Sequence, residues 1–102
     1  MADRLELHHQ LTDLLGNPNV YFQPPASIKL EYPCVIYSIG SGDAKRANNC
    51  LYNYTHRYEI MFIFKRPTLS IIEEVLNKFQ MSRFDRSYVT DNLNHYVFNI
   101  YF

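Results

Sequence analysis

A chain of 102 residues has room for one domain around one modest core, since a chain of this size buries roughly two-thirds of the surface it exposes when unfolded. Ten Lys and Arg balance ten Asp and Glu, which leaves no basic field for sequence-independent nucleic-acid binding and no acidic one to oppose it. The longest apolar run is too short to cross a bilayer as a helix, so no membrane partner is expected.

The opening MADRLELHHQ has no apolar signal region, and folding in a cytosol is expected. In that reducing setting Cys34 and Cys50 read as small core residues rather than a disulfide. Asp3 is a candidate N-cap with Glu6 three residues on, and Leu7, Leu11, Leu14 and Leu15 follow at helical spacing before Gly16 and the Asn17-Pro18 turn. A helix over residues 3–15 follows. His8 and His9 are adjacent, hence about 100° apart on that helix, and read as solvated rather than as a chelating pair. Residues 19–23, NVYFQ, form a brief strand that Pro24-Pro25 ends, because neither proline can donate to a ladder. Residues 26–32 are extended or loop, and CVIYSI within residues 33–39, apolar on both faces, is a buried strand.

The polar interval 40–49, GSGDAKRANN, reads as a long hairpin loop between two strong strands. It lacks Walker spacing and no helix start follows it, so a loop that orders on a partner suits it better than a phosphate cradle. Reversing the charges of Lys45 and Arg46 is expected to leave the fold intact and to weaken assembly; circular dichroism of the double variant checks the first half.

The organising stretch is 51–65, LYNYTHRYEIMFIFK. Tyr52, Tyr54, His56, Tyr58, Ile60, Phe62 and Phe64 alternate with Asn53, Thr55, Arg57 and Glu59, a period of two that marks a long central strand. Its second side turns apolar at Met61 and Ile63, the positions expected to lie under a helix. With nine Tyr and seven Phe in the chain, the first half of this strand presents an aromatic surface of the kind found at subunit interfaces, although strands also favour aromatics in general.

After Arg66-Pro67, Thr68 or Ser70 is placed to cap a second helix over 69–79, and Ser70 with Glu73 has the spacing of a capping box. Leu69, Ile72, Val75, Leu76 and Phe79 form its apolar stripe. Two more strands, 82–89 and 94–102, are joined through Thr90-Asp91-Asn92, with Tyr96, Phe98, Ile100 and Phe102 on the core side of the last. The fold class is therefore α+β, a small mixed or antiparallel sheet of about five strands flanked by two helices, in the order α-β-β-β-α-β-β with a long loop at 40–50. One domain, residues 1–102, contains all of it.

Catalytic signals are sparse. Glu59, Asp85 and Asp91, with Lys65, have the residue types of a small metal-dependent nuclease, but Asp91 falls in a turn, where acids commonly serve backbone hydrogen bonds. His56 and His95 read as structural. There is no G-x-S-x-G, no C-x-x-C and no dinucleotide fingerprint.

The runs NVYFQPPASIKLEYPCVIY and FDRSYVTDNLNHYVFNIYF, with the order of elements, resemble small structural proteins of the head–tail connector modules of tailed bacteriophages, the lambda-type tail terminators in particular. The resemblance implies a virion protein, assembled in the host cytoplasm, whose copies form a ring of six that caps the finished tail tube and joins it to the head connector. It implies no catalytic residue, no cofactor and no metal. The partners implied are further copies of the chain, the tail tube protein and the connector or stopper protein; DNA would pass through the lumen without sequence-specific contact. Interface candidates are then Asp43, Lys45 and Arg46 in the loop, Tyr52, Tyr54 and Arg57 on the central strand, and Asp91 and Asn92 in the last turn. The chain is shorter than the lambda protein around its second helix, so a head completion or stopper protein of the neck is the alternative, and the nuclease a second one.

Overall fold

The computed structural model describes residues 4–40 and 57–102. Helix α1 (Arg4–Leu15) is followed by β1 (Val20–Phe22), β2 (Cys34–Ile39), β3 (Arg57–Phe64), α2 (Ser70–Lys78), β4 (Ser82–Thr90) and β5 (Leu93–Tyr101). The strands make one sheet in the order β1-β2-β3-β5-β4. β1 runs parallel to β2 and every other neighbour is antiparallel, so the sheet is mixed. The predicted order of elements is the observed one; residues 51–56 of the expected central strand, and the loop after Gly40, lie outside the described residues.

The register assigns every side chain to a face. Val35 opposes Phe62, Tyr37 opposes Ile60, Ile60 opposes Phe98 and Tyr58 opposes Ile100. These residues, with Val20 and Tyr96, are buried together with Leu7 and Leu11 of α1 and Ile71, Val75 and Phe79 at α2. Both helices therefore lie on one face of the sheet, called inner here. This corrects the expectation that α2 covers Met61 and Ile63: those two belong to the outer face, beside Ile36, Cys34, Val97 and His95. The alternation is strict enough that a helix placed over Ile60 and Phe62 cannot also touch Met61.

Helix α2 departs from expectation in two further ways. Its N-cap is Leu69, with no side-chain hydrogen bond to the first turn. The Ser70–Glu73 capping box does not form, because Ser70 is the first helical residue and not the cap; nor does Thr68 cap the helix, since its hydroxyl donates to the Arg66 carbonyl at 2.9 Å and its N–H to the Tyr96 hydroxyl at 3.0 Å. The buried stripe is Ile71, Val75 and Phe79, rotated from the predicted one, so that Leu69 and Leu76 are left exposed. Leu69 precedes the first helical residue and takes no part in the 3.6-residue period.

Helix α1 ends as anticipated. Gly16 has φ +85, and its N–H donates to the Thr12 carbonyl at 2.9 Å, the left-handed cap that glycine adopts without steric cost. Its other end is fastened to the sheet by the wholly buried Tyr37. The Tyr37 hydroxyl lies 2.8 Å from His8 Nδ1 and accepts from Arg4 Nη1 at 3.3 Å, while the Arg4 guanidinium sits 4.3 Å above the centre of the Phe22 ring. His8 is thus engaged, not solvated as its position beside His9 suggested.

Burial, then the Arg4 and His9 charges, hold the His8 pKa below its usual value. A group whose folded pKa is depressed is protonated first in the unfolded chain, so its contribution is intact above about pH 6.5 and falls away as the pH drops below it. We expect His8→Gln, which keeps an acceptor for the Tyr37 hydroxyl but cannot titrate, to lose less stability than the wild type between pH 6.5 and 5. Urea unfolding at several pH values measures the difference.

Candidate interaction surface

The candidate residues that the structure describes fall at two ends of the sheet. Arg57 opens β3 opposite Tyr101, whereas Asp91 and Asn92 follow Thr90, which pairs with Leu93. From Tyr101 to Leu93 is eight residues, roughly 26 Å at 3.3 Å per residue. Asp43, Lys45, Arg46, Tyr52 and Tyr54 lie outside the described residues. No single patch made of the described candidates exists.

At the first end, the Gly40 N–H donates to the Arg57 carbonyl at 2.6 Å and closes the β2–β3 ladder. Arg57 Nη1 donates to Asn99 Oδ1 at 3.0 Å, which spreads the guanidinium over the outer face. A Cβ on Gly40 would stand 2.8 Å from the Arg57 Cζ, so glycine is what lets the side chain pass. The obstructing atoms belong to the far end of a flexible side chain, so Gly40→Ala is expected to cost little stability, under about 1 kcal/mol, and to displace the guanidinium from Asn99. A changed Asn99 side-chain amide resonance in NMR spectra would report it.

At the second end, Asp91 (φ 54) and Asn92 (φ 61) are the central pair of a two-residue hairpin turn. Positive φ at both positions is the type I′ geometry, whose twist matches that of the flanking strands, and Asn and Asp are the non-glycine residues that tolerate it best. Their identity thus has a backbone reason.

The acids do not converge. Arg86 Nη1 donates to Asp85 Oδ2 at 2.6 Å, and Arg86 Nη2 lies 3.8 Å from Glu59 Oε2. Asp85 and Glu59 therefore share one cation. Glu59 faces Asn99, six residues along β5 from Leu93, so Asp91 stands roughly 20 Å away. Among the described residues no group of three His, Cys, Asp or Glu is placed to hold a metal ion. Cys34 is fully buried, and burial pushes its thiol up to about 11, so it carries no thiolate at neutral pH.

Composition and spacing did not reveal the surface formed by β4. It is a nine-residue edge strand, and its register slips between Phe84 and Arg86, so that Asp85 is a bulge. The bulge inverts the alternation: Phe84 and Val89 share the inner face although five residues separate them. Phe84 packs on Phe98 with ring centres 5.3 Å apart, but α2 does not reach Val89, which is 66% exposed, nor does it shelter Leu69, at 68%. Between them is an open cleft of about 210 Å³ lined by Pro67, Leu69, Ser87, Val89 and Tyr96 among others. On the outer face, Tyr88 stacks on the buried His95, with centroids 4.6 Å apart and planes 7° from parallel. The one available sequence signal is an uncharged S-Y-V-T run ending at a turn.

Comparison of the chain with protein-family models, with curated proteins and with solved structures finds no match in any of the three.

Proposed function

We propose that this chain is a structural protein of a tailed-phage virion, a tail terminator whose copies form a ring of six at the end of the tail tube and offer the next surface to the head connector. The observation that supports the reading most is the order of elements. A five-stranded mixed sheet with the order α-β-β-β-α-β-β agrees with what the resemblance in the two quoted runs implies. Both helices pack on one face, and among the described residues the β4 edge and the Asp91-Asn92 turn are exposed for contacts with neighbours.

The mechanism is one of complementary surfaces. Ring subunits meet through extended backbone and aromatic side chains, which bring large contact area at small cost in side-chain entropy. The stretch 40–56 joins β2 to β3, and in this reading its charged residues Asp43, Lys45 and Arg46 serve contacts with the tube, the lumen or the connector. No chemical step is required of the protein, and the work is geometric: a ring of fixed diameter ends the addition of tube subunits and presents a new face.

The test is removal of the gene from the phage that encodes it, followed by electron microscopy. The terminator reading expects tubes that overrun their normal length and carry no heads, with rings at tube ends once purified protein is supplied. Tubes of normal length beside unjoined heads would instead place the protein on the head side of the neck. Normal, infectious particles would overturn both.

A further inference from the structure

We propose that the outer edge of β4, which no other strand pairs among the described residues, pairs with the same edge of a second copy of this chain, antiparallel, across a two-fold axis through Tyr88. The inference goes beyond the ring reading and does not rest on it. An edge strand presents unpaired N–H and C=O groups, and proteins normally guard such edges with charges, prolines or bulges. The guards on β4 are confined to its first half: Arg83, Asp85 and Arg86, with the bulge at Asp85. The stretch from Arg86 to Thr90 is regular, pairs residue by residue with Val97 to Leu93, and carries one charge. The opposite edge of the sheet is different, since β1 has three residues with Pro18 before it and Pro24-Pro25 after it.

The register follows from where regular strand stops. The bulge at Asp85 closes it at one end and the positive-φ turn at Asp91 closes it at the other. A symmetric ladder using all five residues between them has Tyr88 opposite Tyr88, Ser87 opposite Val89 and Arg86 opposite Thr90. Direct partners in an antiparallel pair share a face, and these do: Ser87 and Val89 are inner, whereas Arg86, Tyr88 and Thr90 are outer.

The occupant is a second copy because the segment is complementary to itself in that register. Ser87 is small and lines the open cleft beside Leu69, and the exposed Val89 of the other copy falls directly across from it. The exchange happens twice by symmetry and covers the two most exposed apolar side chains of the described residues near this edge, Leu69 and Val89. On the outer face no like charges oppose each other, and each Arg86 reaches the end of the other strand beside Asp91. Moving the axis to Arg86 would set two arginines face to face and bring the bulge into the ladder. If the chain also forms the ring proposed above, whose subunits all point the same way, the two-fold pair is the state of the free protein that covers this edge before assembly.

The test uses the full chain in analytical ultracentrifugation over a range of concentrations, with Ser87→Lys/Val89→Lys as the variant. Both residues are exposed, so the fold is kept, as circular dichroism would verify, while lysine is set opposite lysine. The wild type is expected to rise from 12.1 kDa to twice that mass and the variant to stay at the mass of one chain. In a Cys50→Ser background, Tyr88→Cys is expected to form a disulfide-linked dimer on oxidation, since side chains directly opposite each other lie close to bridging distance. A wild type that stays monomeric, a double variant that associates like the wild type, or a Tyr88→Cys protein that dimerises without cross-linking would each overturn the proposal. A six-chain species equally stable in both proteins would overturn it too, while leaving the ring reading standing.

Discussion

Phe98→Ala is expected to remove about 3–5 kcal/mol of stability, the usual cost of deleting a buried phenylalanine. Phe98 is fully buried on the inner face of β5, where it pairs with Ile60 on one side and Phe84 on the other. Its ring meets Phe62 edge-on at 5.8 Å and Phe84 at 5.3 Å, so one truncation strips contacts from both neighbouring strands. The neighbours that line the gap are themselves fixed by their ladders. A domain of this size has a total stability of about 5–15 kcal/mol, and each kcal/mol lowers its melting temperature by roughly 4–8 °C. Thermal unfolding should therefore show a drop of more than 10 °C, or no cooperative transition at all. A loss below about 1 kcal/mol would mean that Phe98 is not the centre of the core. Val97→Ala removes fewer atoms at the adjacent outer-face position and should cost less.

The strands and their order were legible because a period of two is a strong signal wherever one face is buried throughout. Tyr96, Phe98 and Ile100 announced the inner face of β5, and Tyr58, Ile60 and Phe62 that of β3. What periodicity does not contain is which side of a sheet a helix chooses when both sides carry apolar residues. Met61 and Ile63 were as apolar as Ile60 and Phe62, and the choice was made by the tertiary register, which stacks Val35, Tyr37, Phe98 and Ile100 on the even side of β3. The role of His8 was hidden for a related reason: its hydroxyl partner, Tyr37, lies 29 residues away. The bulge at Asp85 left the least trace. It reverses the inward and outward assignment of every later residue of β4, so alternation counted from Phe84 places Val89 on the wrong face. The interface candidates were chosen by residue type in polar segments, and the structure assigns a local cause to two of them, Asp91 and Asn92.

That cause makes the last prediction. In Asp91→Val/Asn92→Val two β-branched residues are forced into the left-handed region, at about 1–2 kcal/mol each, so the double variant is expected to lose roughly 2–4 kcal/mol. Asp91→Asn removes the charge while keeping a residue that tolerates positive φ, and it should stay within about 0.5 kcal/mol of the wild type. Asn92→Gly should hold or gain stability, because glycine adopts φ near 61 without a Cβ penalty. The comparison separates geometry from charge. If thermal unfolding ranks Asp91→Asn beside the double valine variant, the carboxylate itself stabilises the fold and the turn account fails. If Asp91→Asn unfolds like the wild type, any defect it shows in the assembly proposed above reports a contact made by the charge, because the backbone that carries it is unchanged. The same variant thus tests Asp91 as an interface residue without first damaging the hairpin that presents it.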